Sequence, residues 1–266
     1  MKTRLGQMES QLLAYAQMRN LRTVRFGDLA EPLGLTRSQE RYLLSRLAKA
    51  GIIARVQRGL YLLPPRLPLG GIWDPGEALA LTALMEEQKA KYQVCGPNTF
   101  NRYRFDEQIP VRTYAYNTRI SGDRMIGKVA LTLIKVAERR LGDTEESLTR
   151  DGPALIYSSR VRSLVDAVYD WSRFDSLPRG YNWIRKELAA GRIEAEQLVE
   201  STVKFGDIGT IRRIGFLLER ENIEERSLRK LERKLKPTTG PIPWIPTNPK
   251  TGRTNKRWGV VDNERT

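Results

Sequence analysis

Thr36-Arg37-Ser38-Gln39-Glu40-Arg41-Tyr42-Leu43-Leu44-Ser45-Arg46-Leu47-Ala48-Lys49-Ala50-Gly51, continuing into Ile52-Ile53-Ala54-Arg55-Val56-Gln57-Arg58-Gly59-Leu60-Tyr61-Leu62-Leu63, is the stretch from which the fold is read. Thr36 and Gln39 form a capping box. The hydroxyl accepts an amide of the first turn, and the glutamine side chain reaches back to the threonine N–H. Tyr42, Leu43, Leu44, Leu47 and Ala48 supply the buried stripe of the helix that follows, and Gly51 ends it. Apolar residues then alternate on either side of Arg58-Gly59, the pattern of a β-hairpin.

Upstream of this stretch, Leu12, Leu13, Tyr15 and Ala16 fall at helical spacing and predict a helix over 6–19. A second, short helix is expected over 26–33, with Phe26, Leu29, Ala30 and Leu33 inward and Gly34 at its end. Helix, short helix, turn, helix and hairpin describe a winged helix-turn-helix over residues 1–63, because independent local cues agree on one arrangement.

With the third helix packed through its leucines, Arg37, Ser38, Gln39, Arg41, Ser45 and Arg46 are left facing outward or at its N-terminus. Such helices place N-terminal residues at base edges in the major groove. Arginine suits guanine and glutamine suits adenine. Arg37, Ser38, Gln39, Arg41 and Arg46 are therefore expected to read or flank bases, and Arg55, Arg58 and Tyr61 to hold the phosphate backbone. Arg25, Thr36 and Ser45 complete the candidate DNA-binding set. A solvated charged face, or a face for protein contacts, is the plain alternative for the same residues.

The charge distribution favours the nucleic-acid reading. The chain has 266 residues and a formal net charge of +15. Residues 1–63 hold eleven basic side chains against Glu9, Asp28, Glu31 and Glu40, a net +7, whereas the other 203 residues together carry +8. A charge concentrated on one small module is the footprint of a polyanion partner. There is no histidine, which excludes Ser-His-Asp triads, Cys-His dyads and HExxH zinc chemistry. A single cysteine, Cys95, excludes an intrachain disulfide and is expected to be buried and inert. No apolar run has the length of a membrane span and no secretory leader is evident, so a cytosolic protein is expected.

Pro64 to Gly71 is expected to be a linker, since its prolines and glycines suit neither ladder nor helix. Residues 72–236 read as an α+β domain, strands first and helices after. Helices are expected over 74–89, 161–171, 181–190, 194–204, 208–221 and 225–235, and strands over 111–120 and 129–136. Three constellations imitate chemistry. Gly122 to Lys128 has the spacing of a P-loop but is followed by Val129, where a hydroxyl should hold Mg²⁺, and by a strand-like run; it reads as a loop between strands. Asp74 with Glu87 and Lys89 resembles a carboxylate nuclease site but falls on a helix end. Gly206, Gly209 and Gly215 are too loosely spaced for a dinucleotide loop; Gly206-Asp207 is expected to open a helix and Gly215 to allow close packing. Neither an enzyme, a cofactor nor a metal is expected. Residues 237–266 form a Pro-rich basic tail expected to be a solvated extension, with Trp244, Ile245 and Trp258 as possible pins to the body.

Several segments in order resemble the AbiEi-type antitoxins of bacterial type IV toxin–antitoxin (abortive infection) systems. They are Arg55-Val56-Gln57-Arg58-Gly59-Leu60-Tyr61, the Pro-rich linker, Asp74-Pro75, Ser159-Arg160-Val161-Arg162-Ser163-Leu164-Val165-Asp166 and Arg212-Arg213-Ile214-Gly215-Phe216-Leu217-Leu218-Glu219. The resemblance runs over roughly residues 10–235, and the tail departs from a compact family end. It implies a phage-defence regulator in two parts. The winged helix would bind double-stranded DNA at inverted repeats in its own promoter and repress the operon. The C-terminal domain would counter a nucleotidyltransferase-like toxin, usually without a stable complex. The alternative is a protein-interaction module that directly binds an acidic toxin without operator binding. A Mg²⁺ enzyme dependent on Asp74, Glu87 or Asp123 is the third class.

Overall fold

The computed structural model describes residues 5–66, 72–148, 152–236 and 240–264. Residues 67–71 of the expected linker lie outside the described residues, as do 237–239 of the tail. In chain order the first elements are α1 (Gln7–Met18), β1 (Thr23–Arg25), α2 (Arg37–Lys49), β2 (Ala54–Gln57), β3 (Leu60–Leu62), α3 (Gly76–Glu87), β4 (Tyr92–Val94) and α4 (Pro97–Arg102). There follow β5 (Thr113–Asn117), β6 (Gly122–Ile126), β7 (Val129–Lys135), β8 (Thr144–Ser147) and β9 (Leu155–Ser158). Helices α5 (Arg160–Tyr169), α6 (Trp171–Phe174), α7 (Arg179–Ala189), α8 (Ala195–Phe205), α9 (Ile208–Arg220) and α10 (Glu225–Glu232) come next. Strands β10 (Ile242–Pro243), β11 (Arg253–Asn255) and β12 (Val260–Asp262) close the chain. The fold is α+β, as the residue patterning indicates.

The chain divides into two compact units that interleave in sequence. One holds Met1–Tyr92, Val111–Val136 and Glu146–Leu155; the other holds Gln93–Pro110, Ala137–Glu145 and Ile156–Thr266.

In the first unit, β1, β3 and β2 form an antiparallel sheet in that order, with Val24 opposite Tyr61 and Arg55 opposite Tyr61 on the other side. Strand β1 was not legible in the sequence, being three residues with one buried side chain. Leu12, Leu13, Ala16, Leu43, Leu44, Leu47, Ile52 and Ile53 make the core beneath it. The short helix expected over 26–33 does not form: residues 26–34 are a run of turns. Pro32 lacks the amide proton a helix there would use, and the amides of Phe26, Gly27 and Leu29 bond elsewhere, as described below. In the same unit α3 packs against β7 and β2 through a row of alanines and leucines. Strand β7 lies parallel to β5 and antiparallel to β6. The P-loop imitation resolves here: Gly122–Ile126 is itself a strand, and Gly127-Lys128 is the two-residue turn into β7.

The second unit is mainly helical. Strand β4 pairs with β9 at Val94 and Tyr157. Asp207 caps α9 by accepting the Thr210 amide at 2.7 Å, the helix opening expected for Gly206-Asp207. The C-terminal segment is not a solvated extension. Strand β12 pairs with β10 in parallel and with β11 antiparallel, and Trp244, Trp258 and Val260 are completely buried or nearly so. Trp244 stacks on Tyr181 with ring centroids 3.7 Å apart, and the Tyr181 hydroxyl donates to the Trp244 carbonyl at 2.7 Å. Arg212 donates to the carbonyls of Trp258 at 2.7 Å and Gly240 at 3.1 Å, and to that of Gly259. The reason the tail looked unstructured is that its strands are two or three residues long, too short to show a period.

Gly215 of α9 faces Trp258, and a methyl group there would overlap the six-membered ring of the indole. Gly215→Ala is expected to lower unfolding stability by about 1–3 kcal/mol through overpacking. Gly240→Ala, with open space around it, is expected to change it by less than about 0.5 kcal/mol. Urea unfolding followed by tryptophan fluorescence measures both, and equal effects would contradict the packing of the C-terminal segment on α9.

Candidate nucleic-acid interface

Helix α2 begins with the capping box seen in the sequence. Gln39 N donates to Thr36 Oγ1 at 3.3 Å, while Gln39 Oε1 accepts from Thr36 N and from Thr36 Oγ1, both at 2.8 Å. Ser38 Oγ lies 3.1 Å from Thr36 Oγ1. Thr36, Ser38 and Gln39 are exposed, but their polar atoms already hold the helix start. A bidentate contact to adenine needs both ends of the glutamine amide, and the acceptor end of Gln39 is committed to the cap.

One residue further on, Glu40 is completely buried. Its carboxylate accepts from Gly27 N with both oxygens, at 3.0 and 2.9 Å, and from Leu29 N at 3.0 Å. A buried carboxylate costs several kcal/mol unless hydrogen bonds satisfy it. These bonds fasten the turn run 26–30 to the first turn of α2. In that turn the Phe26 ring lies under the Arg41 guanidinium, 5.0 Å from its carbon, and Phe26 N donates to Gly59 O at 2.8 Å. Gly59 sits at the hairpin tip with φ +81°, a conformation that side chains disfavour. Helix, turn and wing are thus tied at one place.

The candidate residues divide by what already binds them. Arg37, Arg41, Arg55 and Arg58 are exposed and make no ion pair with the described residues. The Arg55 Nε donates weakly to Gln57 O at 3.3 Å. Arg46 is paired with the buried Glu9 at 2.7 Å. Arg25 pairs with Glu87 of α3, whose other partner is Gln57 Nε2 at 2.9 Å; Gln88 in turn donates to Gln57 Oε1 at 2.8 Å. The hydrogen bond and charge of Arg25 hold the Glu87 carboxylate below its ordinary range. Ser45 is half-buried. Tyr61 is 8% exposed and belongs to the core, because both neighbours of its strand cover it. Its ring is therefore not a backbone clamp.

Sequence reasoning missed three residues of this surface. Glu40 entered only as a negative charge, although it stands on the buried stripe three and four residues before Leu43 and Leu44; an acid on an apolar face signals a polar partner beneath it. Lys49 is exposed at the end of α2. Tyr42, expected in the buried stripe, is 67% exposed. At about 100° per residue it lies well off the line of Glu40, Leu43, Leu44 and Leu47, so spacing alone could have placed it outside.

The remaining motifs are structural. Asp166, fully buried, accepts from Arg162 Nε at 2.9 Å, Arg140 Nη2 at 3.0 Å and Ser158 Oγ at 3.3 Å. Arg162 also donates to the Arg140 carbonyl at 2.7 Å, and its guanidinium lies 3.9 Å from the Phe205 ring centre. Within the segment Arg162 and Asp166 satisfy each other, and Arg160 pairs with Glu187 of α7 at 2.7 Å. Cys95 is completely buried. Asp74 accepts from Gly76 N at 3.1 Å and Glu87 from Arg25 and Gln57, which explains both carboxylates without a metal. Among the described residues no group of three or more Cys, Asp or Glu side chains is placed to hold a metal ion, and no helix is long and apolar enough to cross a membrane.

Two helices and a β1-β3-β2 sheet, with an exposed cationic face on α2 and the hairpin, make up the N-terminal module. Residues 10–64 match the sequence model of a family described as "Transcriptional regulator, AbiEi antitoxin". The fold of nearly the whole chain is similar to the crystal structure of the RV2827C protein from Mycobacterium tuberculosis. The TM-score is 0.63 at 14% identity, over 98% of this chain and 92% of that one. No curated protein matches the sequence.

Glu40→Gln keeps the size of the side chain but sets an amide N–H₂ against backbone donors. It is expected to cost about 1–3 kcal/mol and to speed amide exchange at Gly27 and Leu29 more than at Leu12 or Leu13. Hydrogen exchange read by mass spectrometry or NMR checks this; uniform exchange would remove Glu40 from its anchoring role.

Proposed function

We propose that the chain is an antitoxin-type transcriptional autorepressor. Its N-terminal winged helix binds double-stranded operator DNA, at inverted repeats in its own promoter, and the rest of the chain opposes a nucleotidyltransferase-like toxin in the cytosol. The observation that carries the DNA half is the set Arg37, Arg41, Lys49, Arg55 and Arg58, exposed on one helix and its wing and unneutralised by described residues. Exposed cations exchange condensed counterions for phosphate contacts, and this supplies most of the affinity of such modules. The AbiEi match over 10–64 supports regulation rather than catalysis and suggests the toxin-opposing half.

Within the set the roles differ. Arg41 and Arg37 stand on the N-terminal half of α2, where base edges come within reach. Arg41 is steadied from below by Phe26, so less side-chain freedom is lost on binding. Arg55 and Arg58 lie on the hairpin and suit phosphates or a minor groove. Arg25 and Arg46 are excluded from the contact set by their carboxylate partners. Tyr61 is excluded by its burial.

Gel shifts with the DNA upstream of the gene test this reading. Arg58→Ala is expected to weaken binding roughly equally on all sequences and to reduce the slope of log affinity against log salt by about 0.9. Arg41→Ala is expected to cost discrimination as well, about 1–3 kcal/mol if it reads guanine. Arg25→Ala and Arg46→Ala are expected to leave the salt slope unchanged while lowering stability. A double Arg41→Ala/Arg58→Ala chain that binds as tightly as the parent would sink the assignment. For the second half, co-expression with the neighbouring gene product should restore growth with the full chain but not with residues 1–66 alone.

A further inference from the structure

Apart from Tyr42, the outward face of α2 presents only cations, an amide, hydroxyls and a covered alanine. Taking 100° per residue, Ser38, Tyr42, Ser45 and Lys49 lie about 150–170° from the centre of the stripe formed by Glu40, Leu43, Leu44 and Leu47. Tyr42 is therefore at the middle of the face turned away from the core, and its 67% exposure agrees. Its neighbours one turn away, Ser38 and Ser45, are small, so both sides of the ring are open. Arg46 stands one turn on from it, paired with Glu9, and Lys49 two turns on along the same face. No hydrogen bond or ring contact joins Tyr42 to another described residue. A side chain held by nothing in its own fold, at the centre of a cationic face, has its surface available to the partner of that face.

We propose that Tyr42 reads thymine, its ring lying against the 5-methyl group in the major groove. This rests on the DNA reading above. The chemistry of the groove favours it. Every other feature of the base edges there is a hydrogen-bond donor or acceptor, and the thymine methyl is the one apolar group that a side chain can cover. The cations around Tyr42 attract phosphates without regard to sequence. Gln39, which is expected from the sequence to read bases, is occupied by the helix cap together with Thr36. Sequence selection on this helix then falls to Arg41 and Arg37 for guanine and to Tyr42 for thymine. The phenolic hydroxyl offers a second possibility, a phosphate contact, and the test separates the two.

The full-length chain is used to enrich binding sites from a random duplex pool. The enriched duplex is then resynthesised with each thymine in turn replaced by uracil, which removes only the methyl group. At one or two positions wild-type affinity is expected to fall about fourfold, the value of one buried methyl group. Tyr42→Ala should be weaker on the parent duplex and indifferent to uracil at those positions, while Tyr42→Phe should behave as wild type. Uracil tolerance of the wild type at every position overturns the proposal, and so does uracil sensitivity that persists in Tyr42→Ala. A Tyr42→Phe chain as weak as Tyr42→Ala on all sequences also overturns it, assigning the hydroxyl to a phosphate. If nothing is enriched, the DNA reading falls too; if a site is enriched that needs Arg41 but ignores uracil, only the role of Tyr42 falls. Because Tyr42 is exposed, its substitution leaves the core intact, and an unchanged unfolding curve confirms that.

Discussion

The Glu40 carboxylate, sealed inside the N-terminal region, holds its amides because the alternative is a buried charge without partners. Three backbone hydrogen bonds from Gly27 and Leu29 converge on it. They stand in for the helix that the intervening segment does not form. The turn they hold carries Phe26, which bonds to the wing tip through its amide and supports Arg41 through its ring. The orientation of α2 relative to the hairpin, and so the shape of the cationic face, depends on this one carboxylate. Apolar packing by Leu43, Leu44 and Leu47 would permit α2 some rotation or slide. A charged group with fixed hydrogen-bond partners permits far less.

The same economy decides which positive charges are available. The N-terminal region holds many arginines, but two of the most prominent are consumed internally. Arg46 compensates the buried Glu9, and Arg25 binds Glu87 at the end of α3. The second pairing also ties the tip end of the hairpin to the following helix, since Gln57 of β2 reaches Glu87 and Gln88. Among the exposed cations Arg37, Arg41, Lys49, Arg55 and Arg58 lie on α2 and the hairpin, while Arg19 and Arg22 lie elsewhere. A net charge counts all arginines alike; a partner sees only those without carboxylates of their own.

In the second unit, arginines serve packing rather than recognition. Arg162 and Arg140 close on Asp166, and Arg212 binds three carbonyls of the C-terminal segment. Burial without a facing carboxylate lowers the pKa of Arg212, as does the neighbouring charge of Arg213. The carbonyls nonetheless give it directed acceptors, and they pin the segment that Trp244 and Trp258 fill. A stretch rich in proline and lysine thereby becomes part of the core.

The sequence by itself determined every element with a long enough period. Helix α2 was legible from Thr36, Gln39 and its leucines, the hairpin from the alternation around Arg58-Gly59, and α5, α7, α8, α9 and α10 from apolar spacing, each within a few residues of its observed ends, while the four-residue α6 was not. The burial of Cys95 and the close packing at Gly215 were legible for the same reason, as local chemistry. The tertiary structure alone decided what depends on partners distant in the chain. It replaced the helix over 26–33 with turns held by Glu40, and it took Tyr61 into the core. It set Arg25 and Arg46 beside carboxylates, and it folded 240–264 onto α9. Periodicity reports which face of an element is apolar. It does not report which distant carboxylate or carbonyl will meet a given charge, because that meeting is set by the packing of elements and not by their spacing along the chain.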